Sequence, residues 1–158
     1  MANAYTQIYI HLVFSPKNRD SLIRTEWKNE LEKYITGIVQ NKGHKMLAIY
    51  AMPDHIHIFV GYNVNQAIPD LVEEIKTSSN AWIKYNIHPK SKFSWQRGYG
   101  AFSHPRSQLD KVINYILNQE KYHKKQTFRD EYLEMLSKND IVFDDKYLFD
   151  FFDDIKGF

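Results

Sequence analysis

The spacing of hydrophobic residues changes repeatedly along this chain, and the order of those changes limits the folds available to it. Residues 5–14 alternate between two sides, which is the period of a β-strand with one strongly apolar face. From residue 20 or 25 to about 41, apolar residues recur every three or four positions, which predicts a helix. Two short apolar runs, 45–51 and 56–62, flank a Met-Pro-Asp turn and predict an antiparallel pair of strands.

The second half repeats the pattern of helix and strand. Residues 65–86 have helical spacing, with Asn65 as a cap, and residues 93–102 predict a fourth strand or a kinked hairpin containing two glycines. A third helix is predicted over 105–125. The order strand, helix, strand, strand, helix, strand predicts an α+β fold with a ferredoxin-like or RRM-like split βαβ antiparallel sheet. We expect helices on one face, an open second face, and an added C-terminal helix that bears Tyr115.

Length and composition predict one cytoplasmic domain. A chain of 158 residues can bury a stable core without disulfides or a structural metal. The absence of cysteine excludes disulfides, thiol catalysis and cysteine-based zinc sites. The first residues lack the pattern of a signal peptide, and no run approaches the roughly 18 apolar residues of a membrane span. We expect a principal domain over 1–136 and an acidic, aromatic tail over 137–158 that docks by its aromatic residues or is partly disordered.

Charge is divided unevenly along the chain. Residues 76–129 hold eleven Lys or Arg against two Asp or Glu, whereas residues 130–158 hold three against nine. Aromatic residues are interleaved with the basic ones, as in surfaces that track phosphates and stack bases. A solvated helix face above core aromatics would have the same composition. Charge therefore suggests a nucleic-acid partner without establishing one.

His55 and His57 form a His-x-His pair within a predicted strand. A strand has a period of two residues, so both imidazoles lie on one face and can converge on a divalent metal. A pair of hydrogen-bonded histidines on a half-buried sheet face is the alternative.

Tyr115 and Gln119 are four residues apart on the third predicted helix, and His123 follows one turn later. Tyr115 lies off the apolar stripe of this helix. A phenol beside an amide oxygen would let the amide help to hold a metal while the phenol attacks a group that the metal polarises. A boundary tyrosine beside a surface glutamine would give the same spacing.

These motifs together resemble the HUH single-tyrosine transposases of the smallest bacterial insertion sequences. The likeness spans about residues 5–136, and its motifs occur in the order and spacing of that family. They are YIHLVFSPKNR (9–19), MPDHIHIFV (52–60), WQRGY (95–99) and YILNQE (115–120), followed by His123. One departure is Ser103-His104-Pro105, which stands where we expect a different small or β-branched run.

The resemblance implies a metal held by His55, His57 and Gln119, with Tyr115 as the nucleophile. In the family, the tyrosine cuts single-stranded DNA, becomes joined to the 5′ phosphate and leaves a free 3′ hydroxyl. Such a link retains the bond energy for a second transesterification, so no ATP is required. Because a phenol is a weak nucleophile at neutral pH, a Lewis acid is needed, and Mg²⁺ or Mn²⁺ suits the mixed N and O ligands.

The resemblance also implies the partners of the chain. Family members are homodimers that bind single-stranded DNA with hairpin ends, and we expect neither a membrane nor a small-molecule substrate. Arg97, Arg106 and Lys111 are candidate phosphate contacts. Three alternatives stay open: a cellular relative that acts on dispersed palindromic repeats, a non-catalytic single-strand or RNA-binding module, and a metal-dependent phosphohydrolase without a covalent step.

Overall fold

A four-stranded antiparallel sheet forms the centre of the molecule. The computed structural model describes residues 4–18, 21–87 and 92–152. The strands are β1 (Tyr9–Phe14), β2 (Lys45–Met52), β3 (His55–Gly61) and β4 (Gly100–Ser103), and their spatial order is β2-β3-β1-β4. The helices are α1 (Thr25–Asn41), α2 (Ile68–Asn86), α3 (Leu109–Leu117), α4 (Gln119–His123) and α5 (Phe128–Lys138). α1 joins β1 to β2, and α2 joins β3 to β4. This topology confirms the predicted ferredoxin-like α+β class.

The first two helices cover one face of the sheet. Leu12 of β1 is opposite Ile58 of β3, and both are fully buried. They belong to one apolar cluster with Leu31 of α1 and Leu71 of α2. The apolar spacing of the two helices is therefore explained by burial of one stripe against the sheet.

Both of these helices match their predicted positions closely. The first begins at Thr25, the later of the two predicted starts. The second begins at Ile68 after Ala67, so the predicted cap at Asn65 is wrong by two residues. Pro69 lies within its first turn, where a missing amide hydrogen costs no helical hydrogen bond.

The expectation of an open second face is wrong. Val112 and Ile116 of α3 pack against Ala48 and Phe59 on this face. The apolar stripe of α3 has to be buried somewhere, and the sheet offers the matching surface. The face that carries the His-x-His pair is thus covered by the helix that carries Tyr115.

The predicted strand 93–102 is shorter than expected. Only β4 at its end joins the sheet, while Trp95 forms an isolated bridge with Pro16. A Cβ atom on Gly100 would lie 2.9 Å from the Tyr132 ring. This confirms that a glycine here marks a close approach, because it lets α5 pack against β4.

The predicted helix 105–125 is divided into three parts. A 3₁₀ turn over Arg106–Gln108 precedes α3, and Asn118 separates α3 from α4 with φ −109° and ψ 28°. The Asn118 side chain donates to the Asn114 carbonyl at 2.6 Å, and the Asn118 backbone amide donates to the same carbonyl at 3.2 Å.

The C-terminal segment folds back onto α5. Phe149 is 6% exposed, and its ring centroid lies 4.9 Å from that of Tyr132. Gln96 fixes the segment by accepting from the Asp150 amide at 2.7 Å and donating to the Asp150 carbonyl at 2.8 Å. Residues 153–158 lie outside the described ranges. The division into 1–136 and 137–158 stays a prediction, and α5 runs across that boundary.

No helix within the described ranges is both long enough and apolar enough to cross a bilayer.

Candidate metal centre and nucleophile

The two histidines of β3 face the same side of the sheet, as their spacing predicts. His55 and His57 are fully buried, with ring centroids 5.0 Å apart. β3 is an inner strand, and its backbone is hydrogen-bonded to β2 on one side and to β1 on the other. The imidazoles therefore project from a rigid part of the fold toward α3, α4 and α5.

Asp54 orients His55. The Nδ1 atom of His55 lies 2.8 Å from the Asp54 carboxylate, which can only accept when ionised, so Nδ1 carries the hydrogen and Nε2 faces the site. Burial lowers the pKa of His55, but Asp54, together with Glu131 and Gln119, more than offsets this effect, and the pKa is raised overall. The Phe128 ring stacks on the imidazole with centroids 4.1 Å apart.

His11 of β1 holds His57 in a similar way. The His11 Nε2 atom lies 2.7 Å from His57 Nδ1, and the two rings are stacked. Burial lowers the pKa of each ring well below the ordinary histidine value, so both are neutral and one donates to the other. This leaves His57 Nε2 directed into the site.

The α3–α4 segment brings Gln119 and Tyr115 to these histidines. The Gln119 Oε1 atom lies 3.0 Å from His55 Nε2 and 2.9 Å from His123 Nε2, and the Gln119 side chain is fully buried. The Tyr115 ring is edge-on to His57 with centroids 5.9 Å apart. All four residues named from the sequence as catalytic or metal-binding, and His123, thus lie in one cluster.

Glu131 of α5 occupies the middle of this cluster, and sequence reasoning missed it. Its Oε1 atom lies 3.2 Å from His57 Nε2, 3.4 Å from His55 Nε2 and 3.1 Å from His123 Nε2. Its Oε2 atom accepts from Gln119 Nε2 at 3.0 Å and from the Tyr115 hydroxyl. Burial raises the pKa of this carboxyl to about 7.

A signal for Glu131 was present in the sequence. Phe128, Tyr132, Met135 and Leu136 recur at helical spacing, and Glu131 falls on the same face. An acidic residue within an apolar helical stripe needs a buried partner.

The cluster fits a divalent cation. His55, His57 and Glu131 each offer a ligand atom, and these atoms lie within 4.8 Å of one another. Two neutral nitrogen donors and a carboxylate form a set that Mn²⁺ and related ions accept. A cation would also stabilise the ionised form of a carboxyl that burial otherwise disfavours.

The candidate DNA contacts are exposed but do not all lie together. Lys111 of α3 lines a cleft that opens beside Tyr115. Arg106 lies in the 3₁₀ turn before α3, and Arg97 in the loop before β4. Neither arginine is among the described residues that line the cleft.

The residues of this site lie within a stretch of the chain that matches a known protein family. The model of the IS200-like transposases matches residues 4–119, which include both histidines, Tyr115 and Gln119. The chain belongs to the IS200-like transposase family. The family resemblance carried by its sequence motifs is therefore confirmed.

A curated relative is similar to this IS200-like chain over part of its length. ISDra2 transposase TnpA from Deinococcus radiodurans is 30% identical over 73 residues, which are 46% of this chain and 52% of the relative. The match thus spans about half the length of that curated relative.

Two solved structures share the fold. A candidate transposase from Deinococcus radiodurans R1 has a TM-score of 0.60 and 22% identity, covering 75% of this chain and 95% of its own. A REP-associated tyrosine transposase bound to a REP hairpin has a TM-score of 0.58 and 14% identity, covering 99% of this chain and 95% of its own.

Proposed function

We propose that this IS200-like protein is a metal-dependent transposase that cuts and rejoins single-stranded DNA with hairpin ends, using Tyr115 as its nucleophile. One observation carries the proposal. The Tyr115 hydroxyl donates to Glu131, and the other oxygen of that carboxylate faces His55 and His57. A nucleophile, a proton acceptor and a set of metal ligands are thereby joined in one buried cluster.

The reaction proceeds as a transesterification. The Tyr115 oxygen attacks the phosphorus of a phosphodiester, and its proton passes to Glu131 Oε2, which already accepts the hydrogen bond. The bond from phosphorus to the 3′ oxygen breaks, and the leaving 3′ oxygen takes a proton from solvent, which gives a 5′-phosphotyrosine and a free 3′ hydroxyl. A 3′ hydroxyl at a new junction reverses the step and releases the phenol.

His55, His57 and Glu131 would hold the metal. Gln119 Oε1, which faces His55, would be a fourth metal ligand. When bound, Mg²⁺ or Mn²⁺ supplies Lewis acidity to the scissile phosphate. Asp54 keeps His55 in the tautomer with the hydrogen on Nδ1, and His11 holds the His57 ring with Nε2 directed into the site. The buried setting strengthens each of these electrostatic contacts.

Hairpin DNA is the proposed partner. The REP-associated tyrosine transposase of the same fold is bound to a REP hairpin. Arg97, Arg106 and Lys111 are the proposed phosphate contacts on this chain. A homodimer and a cytoplasmic location remain proposals that follow from the family resemblance and from the composition.

A second candidate function shares this chemistry. The REP-associated structure covers 99% of this chain, including the C-terminal segment, whereas the other solved structure covers 75%. A cellular relative that acts on dispersed palindromic repeats is therefore the second candidate, beside a self-mobilising element. The DNA around the gene distinguishes the two, because a mobile copy lies between its own hairpin-forming ends.

A denaturing gel tests the proposal. Wild-type protein and the Tyr115→Phe variant are each mixed with labelled single-stranded DNA that carries the hairpin found beside the gene, with Mn²⁺ or with EDTA. We expect a slow-migrating adduct only for wild type with Mn²⁺. Cleavage without an adduct in both proteins would instead indicate a phosphohydrolase, and binding without cleavage would indicate a non-catalytic module.

A further inference from the structure

We propose that the docked segment, residues 148–151, holds His55 in the position from which it ligates the metal. Two sets of contacts connect the docked segment to this imidazole, one through aromatic rings and one through hydrogen bonds. The inference rests on the proposed function for the metal and goes beyond it, because it gives a role to residues outside the cluster. Phe149 and Gln96 are then positioning residues, since each acts on a metal ligand through other side chains.

The aromatic contacts reach the face of the imidazole. The Phe128 ring lies parallel to the His55 ring, with an interplanar angle of 2° and centroids 4.1 Å apart. Phe149 stacks on Phe128 with centroids 6.0 Å apart, and Phe151 is edge-on to Phe128 at 5.6 Å. Because protein interiors are close-packed, loss of Phe149 would give Phe128 space to shift. The imidazole would then lose the surface that fixes its plane.

The same contacts hold the helix that carries a second metal ligand. Phe149 packs against Tyr132 as well as Phe128, with centroids 4.9 Å apart. These two rings lie four residues apart on α5, and Glu131 lies between them in sequence. The docked segment therefore supports α5 where it meets the cluster.

Gln96 joins the docked segment to the end of β1. Its side chain accepts from the Asp150 amide and donates to the Asp150 carbonyl, and its Nε2 atom also donates to the Pro16 carbonyl at 2.9 Å. Its backbone amide donates to the Ser15 carbonyl at 2.8 Å, and Lys76 Nζ donates to its carbonyl at 2.7 Å. Gln96 is thus fixed on both sides, and it ties the docked segment to the two residues that follow β1.

Ser15 continues this connection to the edge of the imidazole. Its hydroxyl donates to the Asp54 carbonyl at 2.7 Å, and the Asp54 carboxylate accepts the Nδ1 hydrogen of His55. Ser15 and Asp54 are both buried, so water competes little for these bonds. The hydrogen-bond partner of a ligating histidine sets the orientation of its ring. Release of the docked segment would therefore loosen His55 at its Nδ1 edge as well as at its face.

Metal affinity measured in a double-mutant cycle tests the proposal. Mn²⁺ is titrated calorimetrically into the metal-free, full-length wild type, Phe149→Ala, Gln96→Leu and the double variant. We expect each single substitution to raise the Kd about three- to tenfold, which is at or below the effect typical of direct partners of metal ligands. The double variant should bind no more weakly than the weaker single variant, because both substitutions release the same segment.

Two controls separate positioning from a general loss of stability. Phe143→Ala removes a ring that is 45% exposed, and Val39→Ala removes buried volume from α1, outside both sets of contacts. Val39→Ala should lower the free energy of unfolding, but neither control should change the Kd. An unchanged Kd in either single variant would overturn the proposal, as would losses that multiply in the double variant or an equal loss in Val39→Ala.

A second measurement uses the metal-free protein alone. The Nδ1 hydrogen of His55 is buried beside Asp54, so its NMR signal, assigned by its loss in His55→Gln, should exchange slowly with water. We expect faster exchange in Phe149→Ala and Gln96→Leu, and no change in Phe143→Ala. Exchange as slow as in wild type in either variant would contradict the proposal. The adduct formed by wild-type protein reports on the proposed function separately, so failure of one claim is distinguishable from failure of the other.

Discussion

Glu131 connects the two halves of the candidate site. One of its oxygens faces His55 and His57, and the other accepts the hydroxyl of Tyr115. The residue is 2% exposed, and burial raises the pKa of its carboxyl to about 7. Burial disfavours the ionised form of this carboxyl, and a cation bound beside it would stabilise that form.

Replacing Glu131 should therefore weaken metal binding. We expect Glu131→Gln to raise the Kd for Mn²⁺ by at least about tenfold, because the site loses its anionic donor. Asp130→Asn removes the same charge from an exposed position one residue earlier and should leave the Kd unchanged. Isothermal titration at pH 7.5 measures both. Equal affinity of Glu131→Gln and wild type would assign the metal to His55, His57 and Gln119 alone.

At the scale of elements, regular hydrophobic spacing predicted most of the fold. β1, β3, α1 and α2 each bury a stripe or face in the apolar cluster, so their burial and their sequence period agree. The exceptions have local or tertiary causes. The third predicted helix is interrupted at Asn118, whose side chain donates to the Asn114 carbonyl, and only β4 at the end of 93–102 pairs with β1.

The candidate site was predictable where its residues lie close in sequence. His55 and His57 share one strand, and Tyr115 and Gln119 share one helical segment, so a short motif reports each pair. Glu131 reaches the same centre from a separate helix, and its neighbours Asp130 and Glu134 make it look like one of several surface charges. Its position on the apolar stripe of α5 is the sequence signal that separates it from these neighbours, and the packing of α5 brings it to His57.

The docked C-terminal segment should contribute to stability. Phe149 packs against Phe128 and Tyr132 of α5, so Phe149→Ala should lower the free energy of unfolding by about 3 kcal/mol. Phe143→Ala removes a ring that is 45% exposed and should cost much less. Urea denaturation followed by circular dichroism measures both. Equal small losses would mean that the segment is not held in solution.

At the scale of the whole molecule, one chain supplies every member of the candidate site. Tyr115 contacts the Glu131 of its own chain, and α3 packs on its own sheet through Val112 and Ile116. The family resemblance implies a homodimer, so a tyrosine helix that completes the site of the partner subunit is the other possible arrangement. The geometry of this chain provides a complete alternative in which a single subunit is sufficient.

Mixing inactive variants distinguishes these two arrangements. Tyr115→Phe lacks the nucleophile and His57→Ala lacks a metal ligand, so each should form no adduct alone. We expect the mixture to remain inactive, because no subunit then holds both groups. Recovery of about a quarter to a half of the wild-type adduct after the two are unfolded and refolded together would show that the tyrosine acts on the site of a partner subunit.

The central claim is that Tyr115 becomes joined to DNA, and identifying the modified residue tests it most directly. The adduct formed in Mn²⁺ is digested with nuclease and trypsin and analysed by mass spectrometry. Trypsin releases residues 112–121, in which Tyr115 is the only tyrosine. We expect a nucleotide on that peptide. A nucleotide on the next peptide, which holds Tyr122 with its ring centroid 5.0 Å from that of Tyr115, would contradict it.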